Sequence, residues 1–145
     1  MGFNPKLTQW DNKRVWLIGA STGIGEALAR QLDQLGCKQM LSARSTDKLA
    51  ILAGELKHAT ALPLDITQQN AVKIAFESVM GAWGGVDLIV LMAGTYSEMS
   101  VEGFDIDKVC QQIDVNLNGT MYVLANALPK LLEQKSGHLA IVSSV

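Results

Sequence analysis

Gly19, Gly23 and Gly25, with Ser21, Thr22 and Ile24 between them, are the residues of this sequence best suited to chemistry. They follow the apolar run Val15-Trp16-Leu17-Ile18 and lead into a helical pattern. A strand entering a tight glycine turn aims the free N–H groups and positive dipole end of the next helix at an anion. Side chains at the glycines would hold a pyrophosphate away from the backbone. The expected ligand is therefore a dinucleotide. The spacing is G-x3-G-x-G rather than G-x-G-x-x-G, so the assignment rests on the order strand, glycine turn, helix. The competing reading is a glycine turn that only packs a helix against a sheet.

Other reactive side chains form no comparable pattern. Cys37 and Cys110 belong to no C-x-x-C pair and have no histidine at metal-ligand spacing, so both are expected as buried free thiols and no metal site is expected. Glu102, Asp105 and Asp107 cluster at an expected helix start, where the dipole favours carboxylates, and this accounts for them better than a catalytic pair does. His58 and His138 fall near element boundaries with no ligand pattern and are expected at the surface. The formal net charge is -2 with no basic cluster, so no nucleic-acid partner and no anionic membrane surface is implied. An apolar fraction of 48% with 18% charged residues suits a well-buried core within a single domain of 145 residues. The start, Met1-Gly2-Phe3-Asn4-Pro5-Lys6, lacks a signal peptide's apolar core, and no apolar run approaches the ~20 residues that span a bilayer. These features predict a soluble protein of a reducing compartment, the cytoplasm.

The glycines need elements to hold them. Ile24, Ala27, Leu28, Leu32 and Leu35 recur at helical spacing, and Gly36 stands where a helix end needs positive φ. Gln39–Ala43 is expected as a strand, followed by Ser45 as an N-cap and Leu49, Leu52, Ala53 and Leu56 on one helical face. Ala59–Leu64 reads as a strand that Pro63 confines to a sheet edge. Thr67 is expected to cap a helix carrying Val72, Ala75, Phe76, Val79 and Met80, which breaks at Gly84-Gly85. Val86–Met92 has the unbroken apolar character of a strand covered on both faces, as in a parallel sheet.

After a loop from Ala93 to about Gly103 comes a long helical region. Its stripe Val109, Ile113, Leu117, Met121, Leu124, Leu128 and Leu131 is expected to face the sheet, with Pro129 causing a kink or break near residues 125–129. His138–Val142 begins a fifth strand. The alternation predicts an α/β fold: a doubly wound parallel sheet, Rossmann-like and incomplete, of about five strands with flanking helices. Ligands in such sheets bind at the carboxyl ends of the strands, here at the switch point between the first and fourth.

The residues in this order resemble the short-chain dehydrogenase/reductase family, whose cofactor motif is T-G-x3-G-x-G, with Ile18 in place of the threonine. Asp65-Ile66 resembles the family's adenine-contacting segment, although Asp65 could equally cap the helix it precedes. Ala93-Gly94 matches the end of the N-N-A-G motif, and Asn116-Leu117-Asn118-Gly119 resembles the N-x-x-G segment with the catalytic asparagine. Ile141-Val142-Ser143-Ser144-Val145 matches the strand that ends in the catalytic serine. The resemblance covers about residues 14–145. It implies that Ser144 bonds the substrate carbonyl and that Asn116 holds backbone and water in a proton relay. Without those flanking motifs, both would pass as an ordinary loop serine and a helix asparagine.

Two departures stand out. Leu91-Met92 occupies the places of the two asparagines of N-N-A-G, so packing is expected to replace polar bonds there. The Y-x3-K acid/base pair that the family places after its serine strand is absent: Tyr96 is followed at the fourth position by Ser100, and Tyr122 by Asn126. A general acid is typically worth roughly 10²- to 10⁴-fold, so the 145 residues are expected to be catalytically crippled, a fragment of a longer enzyme.

An acid at the end of the second strand binds a ribose 2′-hydroxyl, whereas an arginine accommodates a 2′-phosphate. Aligned with the family, Ala43 takes the acid's place and Arg44 follows it, which predicts NADP(H) over NAD(H); the plain alternative is a solvated surface arginine. The resemblance thus implies an NADP(H)-dependent oxidoreductase acting on a small-molecule carbonyl or alcohol. The region Asp105–Glu133 resembles the one through which the family often forms dimers and tetramers. A catalytically silent dinucleotide-binding or interaction module is the alternative. A nucleotide-sugar epimerase fits less well, because that group's glycine pattern is G-x-x-G.

Overall fold

The computed structural model describes residues 7–143, so Met1–Lys6 and the candidate Ser144 lie outside the described residues. Five strands, β1 (Arg14–Ile18), β2 (Lys38–Ser42), β3 (Ala59–Ala61), β4 (Leu88–Leu91) and β5 (His138–Ile141), form one parallel sheet in the order β3-β2-β1-β4-β5. Helices α1 (Gly23–Gln34), α2 (Thr46–Glu55) and α3 (Gln69–Trp83) alternate with the strands. Between β4 and β5, α4 (Ile106–Ile113) runs through a π-helical segment, Asp114–Asn118, into α5 (Gly119–Gln134). The order reverses direction between β1 and β4, at the expected switch point.

The layering follows from strand periodicity, which sends alternate side chains to opposite faces. Trp16 and Ile18 of β1, with Ile89 and Leu91 of β4, enter a core closed by Val72, Phe76 and Val79 of α3 and Val123 of α5. Val15, Leu17, Leu88 and Val90 enter the opposite core, closed by Ala29 and Leu32 of α1 and Leu49 and Leu52 of α2. Both faces are covered, hence the unbroken apolar runs in β1 and β4. The indole N–H of Trp16, fully buried, donates to Ser42 Oγ at 2.9 Å, so its one polar group is satisfied.

β3 lies at the edge as Pro63 required. It stops at Ala61, but Leu62 and Leu64 still donate to the Leu41 and Ala43 carbonyls, and the ladder steps over the proline. Gly36 has φ +79, as the end of α1 demands. Other expectations are corrected. Gln68, not Thr67, is the N-cap of α3. Cys110 is exposed, whereas Cys37 is buried. α1 buries Gly25, Ala29 and Leu32, leaving Ile24 and Leu35 exposed.

The largest correction concerns the long helical region. Ile113, Leu117, Met121 and Leu128 are about half exposed, and the buried residues are Val115, Gly119, Thr120, Val123 and Ala127. Gly119 has no side chain where the backbone comes close to the segment between β3 and α3: a Cβ there would lie 2.8 Å from the Ile66 side chain. Pro129 sits within an unbroken α5, and the irregularity falls at Asp114–Asn118 instead.

Candidate functional site

β1 ends by delivering Gly19 into a turn that is tied to the end of β2. The Gly19 and Ala20 N–H groups donate to the Ser42 carbonyl at 2.7 and 3.1 Å. Gly19 has φ +97, and a Cβ there would stand 2.5 Å from the Ala93 nitrogen, on the loop after β4. At Gly25 a Cβ would collide with the Gly19 carbonyl oxygen. Glycine at both positions lets the turn close on itself beside the first turn of α1.

The N-cap of that helix, Thr22, is extended and its side chain caps no backbone N–H. The first-turn N–H groups of α1 have no helical acceptor and open onto the turn, which is the chemistry of a phosphate cradle. Ile24 is 70% exposed. It borders the cleft the turn opens into, and so an apolar residue sits outside both cores.

That cleft has a volume of about 700 Å³ and lies at the carboxyl ends of β1, β2 and β4. It brings together most of the residues singled out from sequence. Gly19, Ser21, Thr22, Ile24 and Gly25 form its floor, Arg44 one wall, and Ile66, Ala93 and Gly94 the remainder. Gly23 is not among the lining residues; it makes the turn itself, at φ +59. Asp65 is set apart. It borders a smaller cleft of about 280 Å³ that shares Arg44 and Val115 with the larger one. Its Oδ1 accepts the Thr67 N–H at 3.0 Å and the Thr67 hydroxyl at 2.8 Å, folding the segment before α3.

Asn116 lies within the π-helical segment, a distortion that recurs at functional sites. Its side chain grips one residue twice: Oδ1 accepts the Thr95 N–H and Nδ2 donates to the Thr95 carbonyl, both at 2.8 Å. This fastens the loop that carries Ala93 and Gly94. A Cβ at Gly94 would sit 3.6 Å from Asn116 Oδ1, in ordinary contact.

Leu91 and Met92 do what was expected of them: Leu91 is buried in the core, Met92 borders the cleft, and the Met92 N–H keeps its bond to the Ile18 carbonyl. Sequence reasoning did not single out Ser45, Lys48, Leu64, Met92, Val115 and Val142 as cleft residues. For Val115 the signal was adjacency to Asn116, and for Val142 its place two residues before Ser144. For Lys48 it was a cation one turn into the helix after Arg44.

A two-pronged ion pair lies at the other end of the sheet. Arg14 donates through Nε and Nη2 to the two oxygens of Asp87, each at 2.9 Å, and through Nη1 to the Trp83 carbonyl. The guanidinium holds the Asp87 carboxyl below the usual carboxylate range against the opposing effect of burial. Among the described residues no group of three or more His, Cys, Asp or Glu is placed to hold a metal ion. No described helix is long and apolar enough to cross a membrane.

Comparison with known proteins agrees with this geometry. The family pattern described as short chain dehydrogenase matches residues 13–145. An uncharacterized oxidoreductase of Staphylococcus aureus strain MRSA252 is 34% identical over 141 residues, covering 96% of this chain and 61% of the relative. An uncharacterized oxidoreductase of Staphylococcus epidermidis is 34% identical over 130 residues, covering 89% of this chain and 56% of its own length. This chain thus spans about three fifths of the curated relatives it matches. A short-chain type dehydrogenase/reductase from Mycobacterium ulcerans superposes with a TM-score of 0.86 at 29% identity, over 92% of this chain and 52% of that one. Serine dehydrogenase from Escherichia coli gives a TM-score of 0.84 at 27% identity, over 90% and 62% respectively. With the family pattern running from the start of β1 through the glycine turn to the end of the chain, on the same sheet as these enzymes, this chain belongs to the short-chain dehydrogenase family.

Proposed function

We propose that this chain is the cofactor-binding part of an NADP(H)-dependent oxidoreductase acting on a small-molecule carbonyl or alcohol. One observation carries the reading: the Gly19–Gly25 turn leaves the first turn of α1 uncapped at the floor of a cleft whose wall holds Arg44. The pyrophosphate would rest on the α1 N–H groups with Ser21 and Thr22 beside it, and Gly19 and Gly25 leave it room. Arg44, where an acid would select NAD(H), supports the phosphorylated nucleotide, with NAD(H) the weaker ligand. Ile66 and Asp65 would border the adenine, and Ala93 and Gly94 the middle of the cofactor. A bound nicotinamide supplies hydride to a carbonyl or takes it from an alcohol.

Asn116 holds the Thr95 backbone beside Gly94, and the nicotinamide would lie on that side of the cleft. In the proposed mechanism it also retains a water for proton relay, and Ser144 bonds the substrate carbonyl oxygen. No Tyr-x3-Lys pair occurs within residues 1–145, and the reacting acid is proposed to lie in the remainder of a longer enzyme. Residues 1–145 alone would then bind cofactor without turnover. The half-exposed row Ile113, Leu117, Met121 and Leu128 supports assembly with a second copy of the protein. The cytoplasm is the proposed compartment.

Fluorescence titration of the full-length protein with NADPH and NADH tests the reading. The expected result is tighter NADPH binding that falls toward the NADH value in Arg44→Ala. Equal affinity for the two nucleotides, unchanged by that substitution, would overturn the NADP(H) assignment.

A further inference from the structure

The larger cleft is electrostatically unlike the chain that builds it. The sequence carries 14 acidic and 12 basic side chains, yet among the described residues those bordering this cleft include two cations, Arg44 and Lys48, and no carboxylate. Lys48 lies in the first turn of α2, four positions after Arg44, and is exposed. It makes no hydrogen bond or ion pair with any described residue, so its charge is uncommitted.

The two cations are not equivalent. Arg44 also borders the smaller cleft, which Asp65, Asp107 and Asp114 border too. Lys48 borders only the larger cleft. A phosphomonoester carries a charge of about -1.5 to -2 at neutral pH. One guanidinium carries a single positive charge and leaves part of the phosphate charge uncompensated, and among the described residues Lys48 is the other cation on the cleft wall.

We infer that Lys48 is a second specificity-determining residue, binding the 2′-phosphate of the adenosine ribose beside Arg44, so that discrimination survives in part when Arg44 is lost. This rests on the NADP(H) reading above and assigns the charge within it. A ribose hydroxyl has no charge for Lys48 to answer, so its contribution is confined to the phosphorylated nucleotide.

Calorimetric titration of the full-length protein with adenosine 2′,5′-bisphosphate and adenosine 5′-monophosphate separates the possibilities. Lys48→Ala is expected to weaken the bisphosphate about tenfold, as loss of a charge-assisted contact does, and to leave the monophosphate within about twofold. Lys48→Arg is expected to keep the bisphosphate affinity, and Arg44→Ala to retain a residual preference that the double substitution abolishes. An unchanged bisphosphate affinity in Lys48→Ala, with a loss in Arg44→Ala, overturns the inference and leaves the NADP(H) reading intact. Equal weakening of both probes by Lys48→Ala makes the residue structural and also overturns it. Wild-type protein that binds the two probes equally, or neither, overturns the NADP(H) reading and the role of Lys48 together.

Discussion

Gly19 meets two demands at once: a left-handed backbone at φ +97 and a backbone approach that leaves no space for a Cβ beside Ala93. Gly19→Ala is therefore expected to destabilise the fold by about 2–4 kcal/mol and to open the cradle. Denaturant unfolding and NADPH titration of the same protein read the two effects. Asn116 offers a finer test, because its amide is both donor and acceptor to Thr95. Asn116→Asp keeps an acceptor for the Thr95 N–H and faces the Thr95 carbonyl with a carboxylate, whereas Asn116→Ala loses both bonds, each worth about 1 kcal/mol. Amide hydrogen exchange at Thr95 is expected to stay slow in the first variant and to quicken in the second. Comparable exchange in the two would mean that the grip on Thr95 does not depend on this side chain. Asn116 stood out in the sequence through its motif. Thr95 was not, because nothing in a one-dimensional pattern says which backbone a polar side chain will reach across 21 positions.

At the scale of elements, the strands and their order followed from the sequence: continuous apolar runs mean burial on both faces, and alternation with helices leaves few parallel topologies. The long helical region was misread for a physical reason. A stripe weighted by size picks Ile113, Leu117, Met121 and Leu128, but close approach to the segment between β3 and α3 requires a glycine at 119, against Ile66. The π-helical segment also changes the phase at Asp114–Asn118, so one helical period does not carry through from α4 to α5. The two faces make opposite predictions. Val123→Ala, at a fully buried position, is expected to cost about 2 kcal/mol through lost methyls and the cavity left behind. Met121→Ala, at 48% exposure, is expected to cost less than about 0.5 kcal/mol in the fold itself. If a second copy covers this row, Leu117→Glu with Met121→Glu lowers the mass seen in sedimentation while NADPH binding persists. An unchanged mass would rule the row out as an interface.

At the scale of the whole molecule, the sheet separates two kinds of chemistry. The carboxyl ends of β1, β2 and β4 carry the glycine turn, Arg44, Lys48 and the open cleft; the opposite ends of β1 and β4 are closed by Arg14 and Asp87. That pair joins positions 73 apart in sequence and could not be read before the strands were paired. It makes a prediction about pH. The Arg14 guanidinium lowers the Asp87 carboxyl below its ordinary value of 3.8, and burial only partly opposes it. At Asp33 burial would raise the carboxyl, but backbone N–H groups of His58 and Lys57 outweigh it and lower it as well. Both groups therefore bind protons less readily when folded than when unfolded. The stability they add is fully present above the unfolded carboxylate value and is lost as pH falls through the folded ones. Thermal or denaturant unfolding across pH 7 to 2 is expected to show a stability loss that sets in below about pH 5 and continues toward pH 2. Asp87→Asn removes the carboxylate that Arg14 holds and is expected to cost about 1–2 kcal/mol at pH 7, with the partial exposure of the pair moderating the loss. The variant is also expected to flatten the acid limb, because one of the groups that titrate along it is gone. Since the pair lies at the far end of the sheet from Gly19, NADPH affinity of the folded variant at pH 7 is expected to match the wild type. A variant that loses nucleotide affinity in proportion to stability would show instead that the two ends of the sheet are coupled through β1.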